Sequence, residues 1–407
     1  MITDKNQSNL KILFETNRKK LFDKLTNNSV AIFFSEPTKY RNAGHEYPYR
    51  QSSNIIYLTG IQEPIHSLWL TKDSSGKTTV FILMPECDER TKIYQGCGIS
   101  KKEIEDISGI QNVYTFNEDF LKTTKSFDVI YCDNPLSINN YISRAQDIQP
   151  IMSELRLIKE PEEINLIQNA IKITGNVFHE LLKNVKTFKK ESDMEAFITG
   201  SFIKKGNLQH AYLPIIAGGA NALTLHYCKN NMPLSKNSLT LLDFGCEYNG
   251  YASDLSRTIP NNGKFNKRTK HIYNKVLEIL NNISKQMLPG TSIKELNRYT
   301  NELMEKALIE LNLLKPSDLK GNHSISPCKK YFPHGVSHFI GLDVHDCGNV
   351  DTILQHNMVL SCEPGIYIPE ENIGIRLEND ILIDSKPINL MKNIAIDIDE
   401  IEERMNQ

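Results

Sequence analysis

The chain has 407 residues, of which 40% are hydrophobic and 24% charged, and its formal net charge at pH 7 is −2. This composition is typical of a soluble globular protein and excludes a disordered or collagen-like chain. Because the charge is nearly balanced, there is no broad cationic surface for a phosphate backbone, and no nucleic-acid partner is expected. The length exceeds that of one ordinary domain, so we expect two domains.

Neither a membrane span nor an export signal is expected. No run of about 18 apolar residues occurs, and the first residues lack the unbroken apolar core of a secretory signal. The eight cysteines include no C-x-x-C pair, which argues against a zinc ribbon or a thioredoxin-like redox site. We therefore predict reduced thiols in a cytoplasmic protein without a membrane partner.

The first part of the chain alternates short β-prone runs with helical segments. Val30–Phe34 and Thr78–Met84 are compact strand candidates, and Phe127–Tyr131 is a third. This alternation predicts a non-catalytic α/β domain that covers residues 1–153.

A long amphipathic helix is predicted to open a second domain, residues 154–407. Pro161 stands at a helix start, Glu162 and Glu163 occupy the first turn, and apolar residues follow at helical spacing as far as Phe178. The apolar stripe of this helix is interpreted as core packing.

Three further helices are predicted in the second domain. Capping boxes at Ser192 and Ser292 each place a glutamate three residues later, which is typical of a helix N-terminus. Between them, apolar residues from Ile272 to Met287 form one helical stripe.

A β-hairpin is predicted to turn at Asn249–Gly250, a pair favoured in type I′ turns. This register sets Asp243 opposite Ser256, so Asp243 and Asp254 share one face as a diagonal pair with Cα atoms roughly 7–8 Å apart. A carboxylate on an apolar strand is costly unless a cation compensates it. The pair is therefore a candidate metal site, and the alternative is that both side chains point to solvent.

Histidines and further carboxylates follow near the end of the chain. His334, His338 and His345 lie within twelve residues, and Glu363 and Glu378 stand beside apolar β-prone runs. A lone histidine of this kind is more often a satisfied core residue. Four carboxylates and one imidazole together, however, indicate a dinuclear site, because so many like charges need cations to stay ionised side by side. This oxygen-rich set favours Mn²⁺, with Co²⁺, Fe²⁺ or Zn²⁺ as substitutes.

In combination these motifs resemble those of bacterial aminopeptidase P, one of the pita-bread metallopeptidases, which also include prolidase and methionine aminopeptidase. The segments that carry the resemblance are Glu46–Asn54, Tyr57–Gly60, Leu225–Tyr227, Asp243–Thr258, His334–Asp346, Glu363–Tyr367 and Gly374–Glu378. The resemblance implies an α+β C-terminal pita-bread domain with a curved, mainly antiparallel sheet.

The resemblance also implies a set of metal ligands for two divalent ions. The implied ligands are Asp243, Asp254, His338, Glu363 and Glu378. Asp254 and Glu378 would bridge the two ions, and a hydroxide held between the ions would be the nucleophile. Glu363 would accept its proton.

Four more residues match family positions on the substrate side. His226 and His345 would contact the scissile carbonyl and the departing nitrogen, and His334 would line the proline pocket. Arg376 would not bind the metal itself but would orient the carboxylate of the ligand Glu378.

The implied activity is removal of the residue that precedes a proline at the second position of a peptide. An Xaa-Pro bond has no N–H, and the ring fixes φ, so ordinary extended-strand proteases bind it badly. Prolidase, which prefers free dipeptides, is the nearest alternative, and a non-catalytic pita-bread binding module is a more distant one. Methionine aminopeptidase has no comparable N-terminal domain. A homodimer or homotetramer is expected.

Overall fold

A computed structural model of the protein describes residues 4–133, 145–206, 208–320 and 326–407. The chain divides after Arg156 into two units, Met1–Arg156 and Leu157–Gln407. No helix within the described ranges combines the length and the apolar character that a membrane crossing requires.

The first unit is an α/β domain, as predicted. Its helices are α1 (Asp4–Lys24), α2 (Ser53–Thr59), α3 (Glu89–Tyr94), α4 (Lys101–Ser108), α5 (Asp119–Thr123) and α6 (Gln149–Leu157). Its strands are β1 (Ser29–Phe34), β2 (Tyr40–Asn42), β3 (His45–Glu46), β4 (Ser67–Lys72), β5 (Thr78–Met84), β6 (Val113–Thr115), β7 (Val129–Cys132) and β8 (Gln146–Asp147). Six of the strands form one mixed sheet in the order β6-β5-β4-β1-β7-β8.

The strands of this sheet follow the apolar runs of the sequence. Val30–Phe34 lies within β1, whose residues are buried except at its end, and Thr78–Met84 coincides with β5. The third predicted strand begins two residues later than Phe127, at Val129. Central strands such as β1 are covered on both faces, which is why they are apolar without alternation.

The expectation that all cysteines are reduced is wrong for one pair. Cys87 and Cys97 form a disulfide, with Cα atoms 5.6 Å apart. The two residues are ten positions apart, and α3 lies between them. A separation of ten residues matches no short cysteine motif in the sequence. The pairing therefore depends on how the chain folds between the two cysteines.

The second unit contains mainly antiparallel strands flanked by longer helices. Its helices are α7 (Pro161–Asn184), α8 (Glu191–Lys204), α9 (Lys267–Ser284), α10 (Ile293–Glu310) and α11 (Ile398–Met405). Its strands are β9 (Gln209–His210), β10 (Ile215–Gly218), β11 (Leu239–Asp243), β12 (Cys246–Tyr248), β13 (Tyr251–Ala252), β14 (Ser256–Pro260), β15 (Val359–Cys362), β16 (Gly365–Ile368), β17 (Ile373–Arg376), β18 (Asn379–Leu382) and β19 (Ile388–Asn389). They pair as β10-β11-β14, β13-β12-β9, β15-β18-β19 and β16-β17, all antiparallel. This is the predicted α+β arrangement of a pita-bread domain.

All three additional helices are present, and one of them lacks the predicted cap. Ser292 caps α10 in a capping box with Glu295, and the stripe from Ile272 lies in α9. The capping box at Ser192 is wrong, because α8 begins one residue earlier, at Glu191. There Asp193 accepts the backbone N–H groups of residues 189 and 190, at 2.7 and 2.9 Å.

The predicted hairpin has the predicted register. Asp243 pairs with Ser256, and the Asn249–Gly250 turn has φ values of 50° and 85°, as a type I′ turn requires. The ladder is interrupted around Gly245, where a Cβ atom would lie 1.7 Å from the carbonyl oxygen of Ser253. The interruption separates β11 and β14 from β12 and β13, and Asp254 lies within it.

Candidate metal centre and active site

The carboxylates of Asp243 and Asp254 converge on one half-buried phenol. The Tyr212 hydroxyl lies 2.6 Å from Asp243 Oδ1 and 2.6 Å from Asp254 Oδ1. A phenol has one proton, so it donates to only one carboxylate at a time. Burial, followed by the charges of the nearby carboxylates, raises the pKa of Tyr212 well above its usual range. Tyr212 lies between β9 and β10, outside every motif used above, and only the fold brings it to the hairpin.

Arg376, at the end of β17, connects the hairpin to the next carboxylate. Its guanidinium donates to Asp243 Oδ2, to Ser256 Oγ at 2.9 Å and to the Tyr367 hydroxyl at 3.0 Å. Ser256 in turn donates to Glu378 Oε2 at 2.8 Å. Arg376 therefore holds Asp243 directly and reaches Glu378 through Ser256.

His338 lies in the loop between α10 and β15 and faces three carboxylates. Its Nε2 atom lies 3.2 Å from Asp254 Oδ2, 3.6 Å from Glu363 Oε1 and 3.9 Å from Glu378 Oε1. Asp254, His338 and Glu378 each offer one ligand atom, and these three atoms lie within 4.8 Å of one another. These dimensions suit a small cation.

The electrostatics of the cluster favour bound cations. Burial and then the neighbouring carboxylates raise the pKa of Glu378 well above its usual range, and burial raises that of Glu363 to about 7. Burial lowers the pKa of His338, but its hydrogen bond to Asp254 and the charge of Glu363 outweigh this and raise it to about 9. Without cations, the protein cannot keep these carboxylates ionised together at little cost.

A buried oxygen without a donor tests whether the cluster fits a metal ion. Among the described residues, no hydrogen-bond donor reaches Glu378 Oε1, although the side chain is 1% exposed. Such an atom is costly to bury unless something compensates it. A divalent cation beside Asp254 and His338 would do so, and oxygen atoms with one imidazole are suitable ligands.

A second buried carboxylate supports the ligands from behind. Asp380, on β18, is fully buried and accepts the backbone N–H of Asp254 at 3.2 Å. Burial and the charge of Asp254 raise the pKa of Asp380 well above its usual range. The contact fixes the backbone at the point where the hairpin ladder is interrupted.

Three further histidines stand around the cluster. His334 Nδ1 lies 2.6 Å from the Gly335 carbonyl oxygen, and its Nε2 lies 2.9 Å from the Tyr367 hydroxyl. Since a carbonyl only accepts, Nδ1 carries the proton and the Tyr367 hydroxyl donates to Nε2. The rings of His338 and His345 meet edge to face, with centroids 4.4 Å apart. His226 is exposed at the cavity.

All nine residues selected from the sequence line one cavity of about 380 Å³ in the second unit. They are His226, Asp243, Asp254, His334, His338, His345, Glu363, Arg376 and Glu378. Part of the remaining wall is apolar, formed by Leu213, Ile215, Leu225 and Val344. A cavity lined by both charged and apolar groups is suited to polarising a bond while holding an apolar ligand group.

Comparison with known proteins agrees with this geometry. Residues 165–385 match the sequence model of metallopeptidase family M24, and residues 14–127 match that of the aminopeptidase P N-terminal domain. The Xaa-Pro aminopeptidase of Haemophilus influenzae is 32% identical over 97% of both chains. That of Escherichia coli is 31% identical over 96% of this chain and 97% of its own.

Solved structures show the same fold. Aminopeptidase P from Escherichia coli with the inhibitor Pro-Leu superposes with a TM-score of 0.87 at 30% identity, covering 97% of this chain and 98% of that one. A zinc-substituted form of the Escherichia coli enzyme with product has a TM-score of 0.86 and the same coverage. The fold and the clustered carboxylates define a metal-dependent hydrolase. More specifically, the chain belongs to metallopeptidase family M24, whose members use divalent metal ions.

Proposed function

We propose that the protein is an aminopeptidase that hydrolyses the bond between an N-terminal residue and a following proline. The observation that carries this proposal is the convergence of five potential metal ligands and three further histidines on one cavity. The relatives named above, which are called Xaa-Pro aminopeptidases, support the same substrate class.

We assign two divalent ions to the site, most simply Mn²⁺. The proposed ligands are Asp243, Asp254, His338, Glu363 and Glu378. When bound, the ions supply an activated water and Lewis acidity for amide hydrolysis. Glu363 stands beside His338 at the cavity wall, 20% exposed, and is the proposed acceptor of the proton released during attack.

The remaining histidines would act on the substrate. His226 and His345 are proposed to contact the scissile carbonyl and the departing imide nitrogen. A proton donor is needed there because the nitrogen must be protonated before it can leave. His334 would face the proline ring, held in a fixed orientation by Tyr367. Arg376 would act on the substrate indirectly, because its guanidinium nitrogens contact Asp243, Ser256 and Tyr367.

A comparison of three peptides tests the proposed substrate class. Arg-Pro-Pro-Gly should lose its first residue with a higher kcat/KM than the free dipeptide Arg-Pro is cleaved. Arg-Ala-Pro-Gly should be cut far more slowly, because losing the ring misorients the scissile bond. Mass spectrometry identifies the products, and chelation followed by Mn²⁺ addition should abolish and restore cleavage.

The same assay separates the alternatives. A preference for the free dipeptide would make the protein a prolidase, and equal cleavage of the alanine peptide would leave a general metalloaminopeptidase. No turnover of any peptide by the metal-loaded protein would favour a binding module.

Two further properties are proposed. A homodimer or homotetramer is expected from the family resemblance, and light scattering of the purified protein would test it. The cytoplasm is the proposed location, although the Cys87–Cys97 disulfide is of a kind that persists in oxidising compartments. Thiol labelling in intact cells, followed by mass spectrometry, would show which redox state the protein has there.

A further inference from the structure

One of the two histidines proposed to contact the scissile bond is held by no hydrogen bond of its own side chain among the described residues. His226 lies in the long connection between β10 and β11, whose regular structure is the 3₁₀ helix Gly219–Leu223. In the part of the chain that the structure describes, the His226 side chain makes no hydrogen bond. The position of its imidazole is therefore set by the backbone of this connection, residues 219–238.

One buried side chain holds this connection on both sides of His226. Glu191, the first residue of α8, is 0% exposed. Its Oε1 accepts the Gly218 N–H at 2.9 Å and the Asn221 side-chain amide at 2.7 Å. Its Oε2 accepts the Tyr227 hydroxyl at 2.8 Å and the Met232 N–H at 2.9 Å. The Glu191 N–H completes the contact by donating to the Met232 carbonyl at 3.0 Å.

The chemistry of these contacts requires a carboxylate. An ionised carboxylate has about four acceptor sites and no donor, which matches the four donors around Glu191. A glutamine would place an NH₂ group against one of the two pairs. Each pair contains a backbone N–H, which cannot turn round to accept, so either orientation of the amide creates a donor–donor conflict.

Independent contacts fix the rest of the connection. Asn230 accepts the Ile216 N–H at 2.9 Å and donates to the Pro214 carbonyl at 2.8 Å. Gly374, on β17, has room for no side chain, because a Cβ atom would lie 2.6 Å from the Ala222 carbonyl oxygen. The connection thus packs against β17, which also carries Arg376. Glu191 links the connection to α8 through its hydrogen bonds.

We infer that Glu191 is a positioning residue for His226: it sets the place of the imidazole in the cavity through Tyr227 and the backbone on either side. This inference rests on the proposed function, in which His226 contacts the substrate. It assigns to Glu191 an effect on turnover in addition to the stability that any buried hydrogen-bonded carboxylate provides.

A double-mutant cycle with His226 tests this assignment. Glu191→Gln should lower kcat/KM on the order of tenfold to a hundredfold, because small displacements of a catalytic group are costly in rate. Metal content should stay at the wild-type value. In a His226→Ala background, Glu191→Gln should cause no further loss of kcat. A further loss equal to that in the wild-type background would overturn the inference, and so would unchanged turnover of Glu191→Gln.

A milder pair of variants covers the case in which Glu191→Gln does not fold. Tyr227→Phe removes one of the four donors and should lower kcat several-fold, again without effect in the His226→Ala background. The matched control is Tyr273→Phe, which removes a buried hydroxyl that donates to the Ile396 carbonyl at 2.6 Å. The control should lower stability without changing kcat, and an equal fall in kcat for both variants would contradict positioning.

Hydrogen exchange gives a readout that is independent of substrate. In Glu191→Gln and Tyr227→Phe, amide exchange should accelerate in residues 219–232 and stay unchanged in Tyr273→Phe. If the wild-type protein does not prefer Xaa-Pro peptides, the proposed function fails, and the same cycle is run with the peptide that it does cleave. Unchanged exchange in residues 219–232 would remove the inference while leaving the proposed function intact.

Discussion

At the scale of single residues, we expect Asp254 and Glu378 to decide whether metal binds. Glu378 has a buried oxygen without a donor among the described residues, and Asp254 lies 3.2 Å from His338 Nε2. Replacing either by alanine leaves the proposed ions with less compensating charge. We expect Glu378→Ala and Asp254→Ala to lose nearly all activity and to contain fewer than two metal ions per chain. Elemental analysis beside steady-state kinetics measures both quantities, and full metal content with normal turnover would show that the ligand assignment is wrong.

His345 is expected to behave differently from the ligands. Its ring packs edge to face on His338, yet its proposed role is toward the substrate. His345→Ala should keep its metal and lose about a hundredfold or more in kcat, the usual cost of a well-placed proton donor. The same two measurements apply, and an inactive variant with empty metal sites would make His345 a ligand instead.

Tyr212 gives a prediction that the sequence could not provide. Its hydroxyl lies 2.6 Å from one oxygen each of Asp243 and Asp254, so it orients both carboxylates. Tyr212→Phe should weaken metal affinity about 10- to 100-fold, as is typical when a partner of metal ligands is lost. Isothermal titration of metal-free protein with Mn²⁺ measures this, and activity should return at high Mn²⁺ concentration. Unchanged affinity would mean that Arg376 and the backbone already fix the two carboxylates.

The difference between the ligands and their supports explains what the sequence reveals at this scale. The ligands stand out because an acidic residue within an apolar strand contradicts the local pattern. Tyr212, Ser256 and Glu191 are ordinary residue types for their positions, and their partners are distant in sequence. Ser256 and Glu378, for example, are 122 positions apart. No local period or spacing encodes such a contact.

At the scale of elements, local patterns predicted the hairpin but not the break within it. Asn249–Gly250 sets the turn, and the turn sets the pairing of Asp243 with Ser256. The interruption at Gly245 arises from the close approach of the Ser253 backbone, which depends on the packing of α7 against this hairpin. A glycine in a strand has several possible causes, so the sequence alone does not select this one.

The start of α8 shows how a distant contact can displace a local signal. Ser192 and Glu195 have the spacing of a capping box, but the helix begins at Glu191. Asp193 caps the preceding N–H groups, and the Glu191 carboxylate is drawn to the connection that carries His226. The contact between Glu191 and Met232 joins residues 41 positions apart, and a capping pattern, which covers about four residues, does not predict it.

The loop that carries His338 and His345 is held by a buried ion pair. Lys159 Nζ lies 3.4 Å from Asp346 Oδ2, and both side chains are 1% exposed. Gly341 makes room for the pair, since a Cβ atom there would lie 1.9 Å from Asp346 Oδ2. The pair therefore ties the start of the second unit to the end of the histidine loop.

Breaking this pair on one side should destabilise the second unit. Lys159→Met leaves the Asp346 carboxylate buried without its ammonium partner, which typically costs about 3–5 kcal/mol. Lys159→Met with Asp346→Asn removes both charges and should recover most of that loss. Denaturant unfolding of the two variants and the wild type gives the free energies. A double variant as unstable as Lys159→Met would show that lost packing, and not the uncompensated charge, causes the effect.

At the scale of the whole molecule, the alternation of strands and helices predicted an α/β unit, and the helix at Pro161 predicted that a second unit follows. The α+β class of that second unit came from the resemblance to a known family. The metal centre, in contrast, is assembled from residues that are distant in sequence, so local signals do not predict its geometry. The hairpin carboxylates and Glu378 are more than a hundred positions apart. Their apolar settings suggested a shared dinuclear site, and resemblance to a known family gave each ligand its role before the structure was known. The Cys87–Cys97 disulfide lies outside both sources, because neither spacing nor resemblance marked it.

Metal removal should therefore act on one unit of the molecule and not on the other. All proposed ligands lie in Leu157–Gln407, and bound ions stabilise only the folded state that presents those ligands together. One ion at a hundred times its Kd adds about 2.7 kcal/mol, which corresponds to roughly 5–10 °C in Tm for a unit of this size. Buried carboxylates that repel each other without cations would add to the loss.

Calorimetry with and without chelator, combined with hydrogen exchange, measures this effect and locates it. Exchange should accelerate in β11, β14 and β18, which carry or adjoin Asp243, Asp254 and Glu378, and should not change in β1 and β4 of the first unit. Mn²⁺ should reverse the shift, and Glu378→Ala should respond to chelator and to Mn²⁺ with a smaller shift than the wild type. A uniform acceleration in both units would mean that the metal supports the fold as a whole, whereas no shift in the wild type would mean that the carboxylates are already satisfied without it.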